Sequence, residues 1–430
     1  MRRAAGVCLL LVLAGALAYG YAVTQRERAY RTVIERGDEA LGRDDSYAAI
    51  EAFSVAISLK SDSMAAHLKR GEAYRRRSEF EAALRDLRRA ADLDPLAPLP
   101  RELLGDVHYT MAGLAGQNAR ARFTRALERY RESVSLDDGS PRVQYKLGLA
   151  SYRAGQLPGA ITALQAAIRL DERFAEAHYM LGVCLRAAQQ TADAVKSVER
   201  AVALAPAFLP AREELADAYA RLERHEDRLN QLLALLALQP GPARERALGI
   251  GYAQAGHLDR AVAQLGHAVR RYPDDAATYV ALGRLWLERA ETGGRVELNK
   301  ALQALQGVGS DSSSEALTLL GRAHLLAGDL VRAEKTLQAA AARFPVDPEA
   351  FLFLARAAER RAQVETAQRA LVDYAALVGT DVLDVPLLLR LAEAYTRGGN
   401  LAEARRVVAL ALQRDPDSRA AAALQKRLAS

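Results

Sequence analysis

A 34-residue pattern that recurs through the chain constrains the fold more than any other feature. Its clearest copy, Met64–Ala97, reads MAAHLKRGEAYRRRSEFEAALRDLRRAADLDPLA. The first half carries His67, Gly71 and Tyr74, and the second carries Phe80, Ala83, Leu87 and Ala90. Steps of three and four residues put each set on one side of a helix. Asp94-Pro95 closes the copy, because proline cannot continue a helix and restricts the residue before it. The copy is therefore expected to be two short helices. A pair of that size cannot bury its apolar stripe alone and has to stack on neighbouring copies.

The other copies follow with little interruption. Residues 30–63 hold a degenerate one with Gly37, Ala40, Ala49 and Phe53. Residues 98–140, 141–174, 175–208, 209–241, 242–275, 276–313, 314–347, 348–381 and 385–418 hold the rest. The small residue of the first half recurs as Gly105, Gly148, Gly182, Gly249, Gly283 and Gly321, and the alanine of the second half as Ala126, Ala160, Ala194, Ala261 and Ala333. Extra residues near Gly113–Arg122 and Thr292–Glu297 are expected to lengthen the connections between helices. Gly307–Ser313 is the most linker-like stretch and is expected to be mobile. The tail 419–430 is expected to be a capping helix that keeps Lys426 and Arg427 on a polar side.

The period and the order of aromatic, Gly, Tyr, Phe, Ala, Leu, Ala and Pro resemble the tetratricopeptide repeat (TPR) family. The resemblance covers residues 30–418 in about eleven copies. It implies an all-α fold, an α-α superhelix or TPR solenoid, whose first helices line an inner groove that binds segments of other proteins. The small residues let paired helices approach closely, and the aromatic residues fill the space between copies.

Composition agrees with this reading. Apolar residues are 50% of the chain but aromatic residues only 6%, so alanine and leucine do most of the packing. The net charge of +6 is spread along the chain and interleaved with acids, with no continuous phosphate track. Nucleic acid is not an expected partner. Residues 1–28 are read as a signal peptide or a single transmembrane anchor: Arg2 and Arg3 precede a run, Ala4–Val23, without a charge. Ala16-Leu17-Ala18 resembles a signal-peptidase site. Cleavage and retention both place the array outside the cytoplasm, in a bacterial-type cell envelope. The opposite orientation stays open, because Arg26, Arg28, Arg31 and Arg36 follow the run. Cys8 lacks the small preceding residue of a lipidation site, and Cys8 and Cys184 form no metal or redox motif.

The sequence holds none of the zinc-protease, hydrolase-elbow or phosphate-loop motifs. No catalytic residue, metal, cofactor or small-molecule substrate is expected. His67, His108, His178 and His324 occupy packing positions of the first helix, with a ring nitrogen expected to find a partner. By resemblance, the groove-facing positions hold Tyr145, Lys146, Tyr152, Arg153, Tyr179 and Arg186, and further along Arg284, Arg322 and Arg356. The last three follow the small residue of three successive copies, with Leu287, Leu325 and Phe353 expected as exposed apolar neighbours. Such a ladder would suit an extended or acidic partner segment, since guanidinium matches carboxylate in shape and charge. The Lys and Asn pattern of chaperone-binding TPR proteins is absent: Leu68, Glu72, Leu103 and Lys146 stand at those positions. The expected function is a protein-interaction scaffold at the envelope. The alternative is a membrane-anchored, cytoplasm-facing adaptor that regulates envelope or lipopolysaccharide biogenesis. Such an adaptor, as the family knows it, ends in a cysteine-rich metal domain, and no cysteine follows Cys184.

Overall fold

The computed structural model describes residues 2–114, 116, 118–308 and 312–429, and the side chains of all of these except 2–12, 14 and 293. The Cys8 side chain and the centre of the linker-like stretch, 309–311, therefore lie outside the description. Among the described residues every long element is an α-helix and no strand occurs. The chain divides into two compact units, Met1–Ala218 and Tyr219–Ser430.

In the first unit the helices pair as α1 (Arg2–Gly42) with α2 (Ser46–Leu59), α3 (Met64–Arg76) with α4 (Phe80–Leu93), and α5 (Pro98–Leu114) with α6 (Ala119–Leu136). Then come α7 (Pro141–Arg153) with α8 (Leu157–Leu170) and α9 (Ala175–Ala187) with α10 (Thr191–Leu204). Helix α11 (Leu209–Arg221) carries the boundary, and α12 (His225–Leu238) follows. The second unit continues with α13 (Pro242–Gln254) and α14 (Leu258–Arg271), α15 (Ala276–Gly293) and α16 (Arg295–Gln306), and α17 (Ser314–Leu326) and α18 (Leu330–Ala341). It ends with α19 (Glu349–Arg360) and α20 (Val364–Val378), α21 (Val385–Arg397) and α22 (Leu401–Arg414), and α23 (Arg419–Ala429). Each pair is one copy of the sequence pattern, and within each unit each pair packs on the next. The solenoid is all-α, as the repeat implied.

Most pairs turn in the same way. Three residues separate the helices, and the middle one is left-handed: Ser78 at φ 62°, Gly155 at φ 81° and Ala362 at φ 59° are examples. The residue after it donates back across the helix end, as in Glu79 N to Tyr74 O at 2.9 Å and Gln156 N to Ser151 O at 2.8 Å. That bond satisfies a carbonyl the helix end would otherwise leave unpaired. Some helix starts are capped by side chains: Ser63 accepts from Ala66 N, Ser140 from Val143 N and Asp384 from Leu387 N.

Most of the extra residues do not enlarge the connections: four residues separate α5 from α6, one more than usual, and one separates α15 from α16. They lengthen helices: α5 and α6 have 17 and 18 residues and α15 has 18, against 13 or 14 in most pairs. The insertion in the α5–α6 pair ends in Ala-Arg-Ala-Arg, 119–122, good helix formers that extend α6 at its start. In this pair Tyr109 and Phe123, both half-buried, meet edge-on at 5.1 Å.

The glycine of each first helix lies under a side chain of its partner helix. A Cβ on Gly148 would stand 2.7 Å from Leu164 Cγ, and one on Gly182 would overlap Val198 Cγ2 and lie 3.0 Å from the Ala194 carbonyl oxygen. On Gly266 in α14 it would meet only Arg270 Nη1 at 3.6 Å. The two alanine substitutions should therefore differ in sign. Gly266→Ala gains roughly 1 kcal/mol of helix propensity. Gly182→Ala has the same gain but forces a stiff valine and a backbone carbonyl apart, a net loss of about 1 kcal/mol. Urea unfolding of the two variants checks both signs.

Candidate functional site

The positions read from sequence as groove-facing form two separate groups. Tyr145, Lys146, Tyr152 and Arg153 lie on α7, and Tyr179 and Arg186 on α9, in the first unit. Arg284, Arg322 and Arg356 lie on α15, α17 and α19, in the second.

The first group is a wall of half-buried tyrosines with neutralised cations. Tyr145 packs on Phe174 at 5.0 Å between ring centres, and Tyr179 on Phe208 at 5.2 Å, the same contact one repeat later. Tyr109 and Tyr145 line one cleft. Burial pushes the Tyr145 hydroxyl up to about 12, with Glu176 adding to the shift. Lys146 Nζ is held by Glu102 at 2.6 Å and Asp106 at 2.7 Å, and Asp106 also accepts from the Tyr130 hydroxyl at 2.7 Å. Arg186 is paired with Glu214 at 2.6 Å, while Arg153 is exposed. A cleft of about 720 Å³ opens here between Tyr109, Tyr145, Leu149 and Phe174.

In the second group Arg284 is paired with Glu315 and Arg322 with Glu291, each across one repeat. Arg356 is exposed and has no ion-pair partner among the described residues. Its guanidinium lies 5.3 Å from the Phe353 ring centre, and that of Arg322 lies 5.4 Å from the same ring. Leu287, Leu325 and Phe353 are not the exposed neighbours expected. They are 0%, 8% and 8% exposed and belong to the core. Leu287 and Leu325 stand four residues after Gly283 and Gly321, so they share the stripe that faces the second helix. The apolar surface of this group lies elsewhere, in a cleft of about 720 Å³ lined by Ile250, Ala253, Ala277 and Val280 with Arg246 and Arg284 at its rim. Arg246 is paired with Asp275.

Several structural polar groups escaped the sequence reading. Asp86 in α4 is buried and accepts from His67 and Arg70 of α3. Glu245 in α13, 2% exposed, faces His267 at 2.9 Å and accepts from Arg271 at 2.8 Å. A usable signal was a separation of 31 residues between opposite charges. Lys69 and Asp38, Arg284 and Glu315, and Arg390 and Glu359 all pair at that separation between successive first helices. Not all the histidines are packing residues: His267 is exposed, and His225, like His108, leaves a buried Nδ1 without a hydrogen-bond partner among the described residues. His178 reaches the Glu172 carbonyl at 3.1 Å, but His108 Nδ1 is buried with no hydrogen-bond partner among the described residues. Burial, helped by nearby arginines, lowers the His108 pKa to about 4. No group of three or more His, Cys, Asp or Glu among the described residues is placed to hold a metal.

One tetratricopeptide repeat model matches residues 34–110, 115–167, 145–207, 246–298 and 298–348, and a second matches 387–418. The first alone covers more than half of the chain, and the chain belongs to the tetratricopeptide repeat family. No curated protein matches it. Among solved structures, the TPR protein TTC0263 of Thermus thermophilus is 16% identical, covers 44% of this chain and 99% of its own, and has a TM-score of 0.35. MamA from Desulfovibrio magneticus is 18% identical over 42% of this chain and 97% of its own, with a TM-score of 0.38. Yeast Tom70 is 12% identical over 94% and 100%, with a TM-score of 0.40. Stacked repeats of this kind present long continuous surfaces to other proteins.

Proposed function

We propose that this chain is a non-enzymatic scaffold, tethered to a membrane by its N-terminal segment, with the array outside the cytoplasm in the cell envelope. The first-helix face of its second unit holds an extended partner segment. An apolar side chain of that segment enters the cleft at Ile250 and Val280, and an acidic one meets Arg356. The observation that carries this is Arg356 itself. It is an exposed guanidinium stacked on a ring and unpaired among the described residues, on the face where Arg284 and Arg322 are already paired.

The tether is supported by α1, which runs unbroken from Arg2 to Gly42. Its later part joins the first repeat, where Ala40 is buried and the Tyr30 hydroxyl lies 2.6 Å from Ser63 Oγ. Its earlier part carries Leu17, Tyr19 and Tyr21, which are 75%, 74% and 67% exposed. Among the described residues, no helix is long and apolar enough to cross a membrane. Half of the uncharged run Ala4–Val23 lies in the part whose side chains are outside the description. The cytoplasm-facing reading is favoured by Arg26, Arg28, Arg31 and Arg36, which follow that run on α1. A phosphatase or fluorescent reporter fused after Ser430 separates the two orientations.

Charge reversal tests the binding reading. Arg356→Glu should lower recovery of the co-purified partner about tenfold and flatten its salt dependence, since a free charge is lost. Arg284→Gln should lower it by no more than about twofold, because that cation is already engaged by Glu315. Equal losses in both variants would count against the reading.

A further inference from the structure

The connections of the first unit turn alternately at two edges, because the paired helices alternate in direction. Helix α1 is the first of its pair, so its N-terminal part projects from the edge where second helices end and first helices begin. Two contacts mark the level of that edge on α1. The Tyr30 hydroxyl lies 2.6 Å from Oγ of Ser63, the residue that caps α3. Lys60 Nζ, at the end of α2, lies 5.5 Å from the Tyr30 ring centre. Val23 ends the uncharged run seven residues earlier, about 10 Å along the helix. The headgroup layer outside the hydrocarbon of a bilayer is about 5–8 Å deep on each side. With α1 as a tether, a turn that projects from this edge reaches the headgroups.

One connection on the edge is apolar. Asp94-Pro95-Leu96-Ala97 joins α4 to α5, which starts Pro98-Leu99-Pro100. Leu96 is 79% exposed, the most exposed leucine among the described residues, and Leu99 is exposed as well. The neighbouring connections along the edge, Lys60-Ser61-Asp62-Ser63 and Asp137-Asp138-Gly139-Ser140, are polar. The backbone of the apolar turn needs little water. Its prolines carry no N–H, Leu96 N donates to Asp94 Oδ1 at 3.1 Å, and Ala97 N donates to Asp94 O at 3.3 Å. The Ala97 carbonyl accepts from Arg101 Nη1 at 2.9 Å, and the Pro98 carbonyl from Ser133 Oγ at 3.0 Å. Two open leucines on a turn with its polar groups largely satisfied leave water at low cost.

We propose that Leu96 and Leu99 rest in the headgroup layer of the bilayer and hold the first repeats against it. The proposal rests on the reading of α1 as a tether. It holds for either orientation of the array, since it follows from the length of α1 and not from the side on which the array lies. One helix fixes a single point of the array to the membrane, and a second contact at the α4–α5 turn also fixes its tilt. Apolar side chains of interfacial elements settle about 5–10 Å into this layer.

The test is fluorescence quenching in phosphatidylcholine vesicles that hold the full chain. A Cys8→Ser background leaves Cys184, which is fully buried, as the remaining native thiol. An environment-sensitive dye is attached at Asp92→Cys, an exposed site in the last turn of α4, or at Glu79→Cys, an exposed site at the opposite edge. Lipids with a nitroxide on the headgroup should quench the dye at 92 at least about twofold more than the dye at 79. Leu96→Ser with Leu99→Ser, surface changes with little effect on folding, should remove at least about half of that difference. Flotation with the vesicles is scored on the same samples. A chain that does not float removes the tether, and this proposal with it. A chain that floats but is quenched equally at 92 and 79, or is quenched at 92 to the same extent in the serine variant, overturns the contact alone and leaves the tether standing.

Discussion

Replacing Asp86 by alanine is expected to destabilise the first repeats by about 3–5 kcal/mol, the cost of stranding a buried ion partner. Asp86 Oδ1 faces His67 Nδ1 at 3.0 Å and accepts from Arg70 Nη2 at 2.8 Å, while Oδ2 accepts from Arg70 Nε at 2.6 Å. Arg70 Nη1 also donates to Ser54 Oγ at 3.1 Å, so the network joins α2, α3 and α4. The Asp86 side chain is 8% exposed and that of Arg70 21%, so water replaces little of what the carboxylate supplies. The hydrogen bond to Asp86 is the largest cause of the raised Arg70 pKa, which burial alone would lower. Asp86→Asn retains an acceptor for Arg70 and should cost about half as much. Because a repeat array need not unfold in one step, the loss is best read locally, by hydrogen exchange of α2–α4 amides. A loss below about 1 kcal/mol would mean the network is solvated and adds little.

Ala160→Phe is the second large effect. Ala160 is completely buried, and its carbonyl oxygen lies 3.4 Å from the position of a Cβ on Gly148, so α7 and α8 touch at this point. The surrounding core of Leu164, Leu181, Cys184, Leu185 and Ala194 is filled. A phenyl ring has to push the helix pair apart, at about 3 kcal/mol. Each repeat contacts only its neighbours, so protection should fall in α5–α10 and stay at wild-type levels in the second unit. Unchanged exchange in α7 and α8 would show that the small residue is not what sets their separation.

The elements were legible in the sequence because one contact repeats at a fixed offset. Gly71 lies under Leu87, Gly148 under Leu164, Gly249 under Leu265 and Gly321 under Leu337, sixteen residues on in every case. A rule obeyed that often fixes helix phase, pair boundaries and core together. The insertions were misplaced because a count of extra residues does not say whether they extend a loop or a helix. Tyr109 meeting Phe123 is a tertiary contact, visible only once the two lengthened helices face each other. At the candidate site, helix assignments were legible but charge states were not. Arg284, Arg322 and Arg356 occupy equivalent sequence positions, yet acids reach the first two from the adjacent repeat and, among the described residues, none pairs with the third. Leu287 and Leu325 were read as groove residues because they follow the Tyr-type position, Trp286 and His324, and their place in the glycine's own stripe decided otherwise.

The central claim is that the first-helix face of the second unit captures a partner protein. Site-specific photocrosslinking in cells tests it most directly, with a photoreactive residue placed singly at Ile250, Val280 or Arg356, and at Val331 or Val364 on second helices as controls. Val331 and Val364 are 63% and 49% exposed, at least as open to solvent as Ile250 at 37%. The account predicts one common adduct from the three first-helix positions and none from the two controls. Adducts from Val331 and Val364 with none from Ile250, Val280 and Arg356 would contradict it.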